Sequence, residues 1–125
     1  MMDRGTLWCQ SFSAQTRSKE EVKRAIGHFA GPQTKIEYLY TDNAKEHKYA
    51  APDLGVIWDP CTPCIKETNS IMERCNRRLN EGTSCNLVQS KLHHEQWPEA
   101  QDDFNFMWNV TEVVHEGKTQ YEHRF

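Results

Sequence analysis

The segment Lys35–Thr41 constrains the fold most, because its aromatic and β-branched side chains favour a β-strand. Before it, Ser18–Glu21 has the pattern of a helix start, and Gly31–Pro32 has the pattern of a helix end. After it, we expect a short helix over 44–51 and a short buried strand over 55–58. Strands and helices therefore alternate along this half of the chain, which indicates an α/β fold.

Helices dominate the second half of the predicted structure. A helix begins at about Asn69, and its core-facing residues recur at four-residue spacing: Ile71, Cys75 and Leu79. Gly82 should bend or end this helix, and a second helical stretch follows over 87–92. Pro98 suits the first turn of a last helix, whose apolar face comprises Trp97, Ala100, Phe104, Met107 and Trp108. One further strand is expected near the start of the chain, over Thr6–Ala14.

Size, composition and charge limit the possible functions. A chain of 125 residues forms one domain at most, and no run of about 18 apolar residues predicts a membrane span. Its five cysteines, an odd number with no signal peptide before them, are expected to be reduced thiols of an intracellular protein. The net charge of −3 argues weakly against a nucleic-acid-binding protein. Residues 66–94, however, carry +2 and residues 95–125 carry −5, and a local basic surface can bind phosphate.

Two carboxylates stand at positions that suit a metal site. Asp42 directly follows the strand of residues 35–41, and α/β sheets bind their ligands at the carboxyl ends of strands. Glu73 lies in the first turn of the next long helix, where the helix dipole stabilises the charged form. Carboxylates that converge from two rigid elements can hold Mg²⁺, and paired ions stabilise the attacking and leaving oxygens of a phosphoryl displacement.

Polar residues around these acids have candidate roles of their own. Asn43 is placed to orient Asp42 by a hydrogen bond. Basic residues on and just before the helix of Glu73 are candidates for contacts with DNA phosphates: Lys66, Arg74, Arg77 and Arg78. The alternative is a solvated helix face, with Asp42 as an ordinary turn residue and Glu73 paired with Arg77 one turn later.

Several short blocks lie in order along the chain. Thr41-Asp42-Asn43 with Glu46 resembles a TDN…E block, and residues 69–83 look like the block NGVAER-NR-L-EGT. Leu92 with Trp97–Ala100 looks like LP-WWPEA. Residues 3–8 resemble a D-R-A-T-G-W strand, and residues 117–125 resemble a KTPYE-RF ending. Together these blocks resemble the catalytic core of retroviral and retrotransposon integrases.

The resemblance implies a ribonuclease H-like fold, with a mixed sheet flanked by helices, and DNA strand transfer with two Mg²⁺ or Mn²⁺ ions. Asp42 matches the second catalytic acid of the family and Glu73 the third, while Asn69 joins the residues expected to bind DNA. The first acid of the family lies on an earlier strand that this sequence does not contain. Asp3 matches a residue of the family's second strand, so the role of the first catalytic acid is not assigned to it.

The expected protein is therefore a fragment of a retroelement polyprotein. Residues 1–112 would form a partial integrase core without its first strand, and residues 113–125 a polar, poorly ordered tail. Lys66–Ser70 replaces the PQTNG sequence of the family, which supports a degenerate character. Its partners would be DNA and a second copy of itself, with no membrane, and its location would be nuclear if it is functional. We expect little or no strand-transfer activity, because two of three acids bind metal weakly.

Three other interpretations stay open. Cys61 and Cys64 have the spacing of a thioredoxin-like redox pair. The same pair has zinc-ligand chemistry when joined by other residues of suitable type: His93 and His94, or Cys75 and Cys85. The third interpretation is an integrase-derived module that binds DNA or assembles without catalysis. Strongly salt-dependent DNA binding that is indifferent to Mg²⁺ would favour it.

Overall fold

The computed structural model describes residues 1–32, 34–62 and 70–125. In chain order its elements are α1 (Lys19–Ala30), β1 (Tyr38–Thr41), α2 (Lys45–Leu54), β2 (Ile57–Pro60), α3 (Ser70–Ser90), a 3₁₀ turn (His94–Gln96), α4 (Trp97–Thr111), β3 (Val113–His115), β4 (Lys118–Thr119) and α5 (Gln120–Arg124). The predicted mixture of helices and strands is confirmed. Within these ranges, every helix is too short or too polar to cross a lipid bilayer.

The chain folds into two compact units. The inserted unit comprises Ala14–Ile71, and the terminal unit combines Met1–Ser13 with Met72–Phe125. The two ends of the chain therefore fold together, and the inserted unit is one continuous segment between them.

Helix α1 of the inserted unit forms as its local signals predict. The Ser18 hydroxyl accepts a hydrogen bond from the Glu21 amide at 3.2 Å, which satisfies a donor that the first helical turn leaves free. Gly31 ends the helix with φ of 70°, a conformation that side chains other than glycine rarely adopt. Ile26 and Phe29 are the buried residues of its apolar face.

The strands β1 and β2 pair in parallel, with Tyr38 opposite Ile57 and Thr41 opposite Pro60. A parallel pair needs a crossover connection, which α2 supplies. Both strands are four residues long, so β1 is shorter than the predicted strand. The prediction of a buried second strand is wrong, because Ile57 is 55% exposed.

Helix α2 continues past the point where the sequence predicted its end. Pro52 lies in its last turn, where it interrupts only one bond of the helical ladder. Gly55, in the left-handed conformation, closes the helix by donating its amide to the carbonyls of Ala51 and Pro52. The burial of Ala50 and Ala51 fixes this segment as a helix despite the proline.

In the terminal unit, α3 is a single helix of 21 residues. The prediction that Gly82 bends or ends it is wrong. The aromatic ring of Phe104, from α4, occupies the space that a side chain on residue 82 would need. Cys75 and Leu79 are buried as predicted, whereas Ile71 is exposed.

Helix α4 buries two asparagines that its apolar pattern did not reveal. Asn109, only 2% exposed, accepts a hydrogen bond from the Cys9 amide at 3.1 Å and donates to the Cys9 carbonyl at 2.6 Å. Asn105, with its amide oriented so that each atom has a partner, accepts from the Ser11 amide at 2.6 Å. These asparagines replace the partners that a neighbouring strand would supply to the backbone.

The first residues of the chain fold back on themselves instead of forming the predicted strand over Thr6–Ala14. Met2 and Cys9 form an isolated antiparallel bridge, and Leu7 has a φ of 60° in the turn between them. Because side-chain amides of α4 satisfy the backbone after this turn, the segment needs no strand neighbour.

The last thirteen residues form two short strands and a helix, where the sequence predicted a polar, poorly ordered tail. The strands β3 and β4 pair antiparallel, and α5 begins with a capping box between Thr119 and Glu122. The ring of Trp8 lies 5.6 Å from that of Phe125, and Arg124 forms an ion pair with Asp3 at 3.1 Å. These contacts attach the end of the chain to its beginning.

Two free thiols meet in the core of the terminal unit. The sulfur atoms of Cys9 and Cys75 are 3.0 Å apart, and both residues are buried beside Leu79. The hydrogen bond between them lowers the pKa of the Cys75 thiol to about 7, although burial opposes the change. The same bond, together with burial, raises the pKa of Cys9.

Gly82→Ala tests the packing of Phe104 against α3. Because the new methyl group must displace the ring, we expect a loss of about 1–3 kcal/mol in the free energy of unfolding. Gly27→Ala in α1 is the matched control, since its new side chain meets nothing within 4 Å, and it should gain about 0.5–1 kcal/mol. Urea unfolding of both variants measures the difference. Equal stabilisation by the two substitutions would contradict the packing of Phe104 against Gly82.

Asn109→Ala tests the attachment of the first residues to α4. It leaves the amide and carbonyl of Cys9 buried without Asn109, so we expect a loss of about 3 kcal/mol and faster hydrogen exchange at the Cys9 amide. Asn80→Ala, on the exposed side of α3, should change stability by less than about 0.5 kcal/mol. An unchanged exchange rate in Asn109→Ala would show that this contact does not hold the segment.

Candidate functional site

Asp42 is held at the carboxyl end of β1 by bonds to the residues around it. The Thr41 carbonyl accepts from the Cys61 amide at 2.7 Å, which extends the pairing of β1 with β2 by one residue. The Thr41 hydroxyl accepts from the Trp58 indole at 2.9 Å and donates to the Asp42 carbonyl at 2.8 Å. The backbone of Asp42 is therefore fixed at the edge of the sheet, as the sequence predicted.

The carboxylate of Asp42 projects into solvent, with 63% of its side chain exposed. One of its oxygens accepts from the Ala44 amide at 3.4 Å and lies 3.7 Å from Nε2 of His47. The Asn43 amide donates to the Cys61 carbonyl at 3.1 Å. Asn43 therefore fastens the turn after β1 to the end of β2, and in this structure it does not bond the carboxylate that it was expected to orient.

Glu73 lies in the first turn of α3, where its negative charge complements the helix dipole. Its side chain is exposed, and within the described chain it has no ion pair with Arg77. The alternative of a simple pair between Glu73 and Arg77 is therefore not what the structure contains.

The arginines of α3 differ in their surroundings. Arg78 donates two hydrogen bonds to the Glu112 carboxylate, one of them at 2.8 Å, and its guanidinium lies 4.2 Å from the centre of the Trp108 ring. Arg74 and Arg77 are exposed, and among the described residues neither has an ion-pair partner. The free positive charge on this helix therefore comes from Arg74 and Arg77.

The predicted site residues belong to both units. Asp42 and Asn43 are part of the inserted unit, and Glu73 is part of the terminal unit. The convergence of Asp42 and Glu73 in one cleft stays a prediction. Three further predicted residues lie outside the described residues: Cys64, Lys66 and Asn69.

Of the proposed zinc ligands, Cys64 lies outside the described residues, and Cys61 belongs to the inserted unit while the other candidates belong to the terminal unit, so the zinc site stays a prediction. In the described part of the chain, His93, His94 and Glu95 are the one group of three ligand-type residues, with ligand atoms within 4.8 Å of one another. All three are exposed and consecutive. Cys75 instead contacts Cys9 in the core, and Cys85 is exposed.

Two residues that contact candidate site residues were not predicted from the sequence. No sequence pattern indicated His47, yet its Nε2 lies in ion-pair geometry with the Asp42 carboxylate. Glu112 was also missed, because the acid that engages Arg78 is 34 residues away in the sequence.

No protein-family model matches the chain, and no curated protein matches it. The chain is, however, similar to solved structures. A chain in the cryo-EM structure of the simian T-cell lymphotropic virus intasome, in complex with PP2A regulatory subunit B56 gamma, is similar with a TM-score of 0.77 at 17% identity. The match covers 99% of this chain and 46% of that one, so this chain spans less than half the length of the intasome chain.

A second similar structure is the catalytic core domain of BIV integrase. It has a TM-score of 0.64 at 17% identity, and the match covers 87% of this chain and 72% of that domain. Identities this low establish the fold and no more. The chain has an integrase catalytic-core-like fold.

Proposed function

We propose that this chain is an integrase-derived fragment from a retroelement, whose parent activity is DNA strand transfer by two-metal chemistry. The observation that supports it most is the integrase core-like fold together with Asp42 fixed at the carboxyl end of β1. We further propose a ribonuclease H-like sheet arrangement, of which the parallel pair β1–β2 would be one part. A functional protein would act on DNA in the nucleus.

In this proposal Asp42 and Glu73 are the second and third acids of the site. Their donor chemistry fits Mg²⁺ or Mn²⁺, because both are exposed carboxylates and one oxygen of Asp42 is left without a bond to the described residues. When bound, such ions stabilise the attacking and leaving oxygens of a phosphodiester displacement. The chain's own contribution is to hold Asp42 rigidly through Thr41 and to keep Asn43 on the end of β2.

DNA would contact the exposed basic face of α3. Arg74 and Arg77 carry positive charge that has no ion-pair partner among the described residues. Both follow Glu73 within the first two turns of α3. Lys66 and Asn69 would extend this surface. Arg78 is a weaker candidate, because its guanidinium is already bonded to Glu112 and stacked on Trp108.

A second candidate function is a module that binds DNA, or assembles with a second copy, without catalysis. What favours it is the exposed charge of Arg74 and Arg77, which has no ion-pair partner among the described residues and could bind phosphate without a metal. Such a module would use the same Arg74 and Arg77 surface, so the two functions differ in their dependence on metal and on Glu73.

A strand-transfer assay with donor DNA ends and Mn²⁺ separates these functions. We expect little or no product from the 125-residue chain, because two acids hold the ions weakly. Glu73→Gln removes one carboxylate charge at nearly constant size and is the control. Robust product that disappears in Glu73→Gln would show that the chain is catalytically complete.

DNA binding gives an independent test by fluorescence anisotropy across a salt series. We expect affinity to fall as salt rises, and the double variant Arg74→Ala/Arg77→Ala to reduce the log–log salt slope by about 2. Lys118→Ala removes an exposed charge from the acidic end of the chain and should leave the slope unchanged. Equal slopes for all three proteins would contradict the DNA-binding surface.

The same titration, repeated with and without Mg²⁺, distinguishes the two functions. Affinity that does not respond to Mg²⁺ favours the non-catalytic module. Affinity that rises with Mg²⁺ in the parent chain, but not in Asp42→Asn, favours a metal site at the acids.

A further inference from the structure

The buried cysteines of the terminal unit carry an inference that does not depend on the proposed function. Cys9 and Cys75 are 66 positions apart in the sequence, yet their sulfur atoms are 3.0 Å apart. A disulfide bond is about 2.05 Å long, so a movement of about 1 Å would bring the sulfurs to bonding distance.

The position of Cys9 is fixed by hydrogen bonds to both its backbone amide and its backbone carbonyl. The Asn109 side chain accepts from the Cys9 amide and donates to the Cys9 carbonyl. Cys75 is fixed as well, because it lies inside the long helix α3 and is only 5% exposed. The pair is therefore held together by the fold rather than by a chance encounter of mobile side chains.

The surroundings favour a small oxidant over a large one. Leu79, Met2, Phe104 and Trp108 pack around the two thiols. A bulky disulfide reagent would have to open this cluster, whereas hydrogen peroxide is close to water in size. Cys85 is exposed and Cys61 is partly exposed, and neither contacts another thiol of the described residues, unlike Cys9 and Cys75.

We propose that Cys9 and Cys75 are a peroxide-oxidised pair that forms a reversible intrachain disulfide. One sulfur, having lost its proton, attacks a peroxide oxygen; the O–O bond breaks, and the leaving hydroxide takes up that proton to become water. The second sulfur then attacks the resulting sulfenic acid, the S–O bond breaks, and a second water leaves. Two thiols and one peroxide thus yield one disulfide and two waters, and the sulfur pair loses two electrons.

The bond would join the two chain segments that make up the terminal unit. Residues 1–13 and 72–125 meet there, and the loop closed between Cys9 and Cys75 contains the whole inserted unit, Ala14–Ile71. Closing a loop of this length restricts the unfolded chain and raises the melting temperature. Oxidation would therefore stabilise the folded terminal unit, which carries Glu73 and Arg74, against unfolding.

The test uses the full chain with the other three cysteines replaced: Cys61→Ser, Cys64→Ser and Cys85→Ser. After peroxide treatment, free thiols are blocked with N-ethylmaleimide in denaturant, and tryptic fragments are identified by mass spectrometry. We expect no labelled thiol, a link between fragments 5–17 and 75–77, and a melting temperature higher by on the order of 10 °C. Dithiothreitol should reverse all three results.

Adding Cys9→Ser to this variant is the matched control, and it should show neither the link nor the rise in melting temperature. The parent chain should give the same linked fragments, so the test does not depend on the folding of one variant. Full labelling of both thiols after peroxide, separate oxidation of each sulfur, or a link between two chains would overturn the proposal.

Discussion

The pair of hydrogen bonds between the Asn109 side chain and the backbone of Cys9 is the interaction on which the terminal unit depends. A buried amide and carbonyl without partners would be costly, and none of the strands among the described residues pairs with the first residues of the chain. The side chain of Asn109 supplies both partners from a position 100 residues later. Once Cys9 is fixed in this way, its thiol contacts Cys75, and the preceding Trp8 contacts Phe125.

The packing of α3 on α4 depends on the missing side chain of Gly82. Gly82 is a poor helix former, but its missing side chain is the space that the Phe104 ring fills. Arg78, on the same helix, stacks on Trp108 and bonds Glu112. These contacts leave Arg74 and Arg77 as the arginines of α3 that are free to bind a partner.

The candidate site was predictable where its signals are local. The strand before Asp42 and the helix that carries Glu73 were both read from side-chain type and periodicity, and both elements are present. The role of Asn43 was not predictable, because its choice of the Cys61 carbonyl depends on the parallel pairing of β1 with β2. His47 was missed for a related reason: its approach to Asp42 depends on how closely α2 follows the strand.

The sequence by itself determined the alternation of strands and helices, the caps of α1 and the position of Asp42 after a strand. These features follow from capping groups, glycine conformations and residue preferences that act within a few positions. Only the tertiary structure decided that the first residues turn back instead of forming a strand, that α3 passes through Gly82, and that the last residues form two short strands and a helix. Each of these outcomes depends on contacts between distant parts of the chain, for which a local pattern contains no signal.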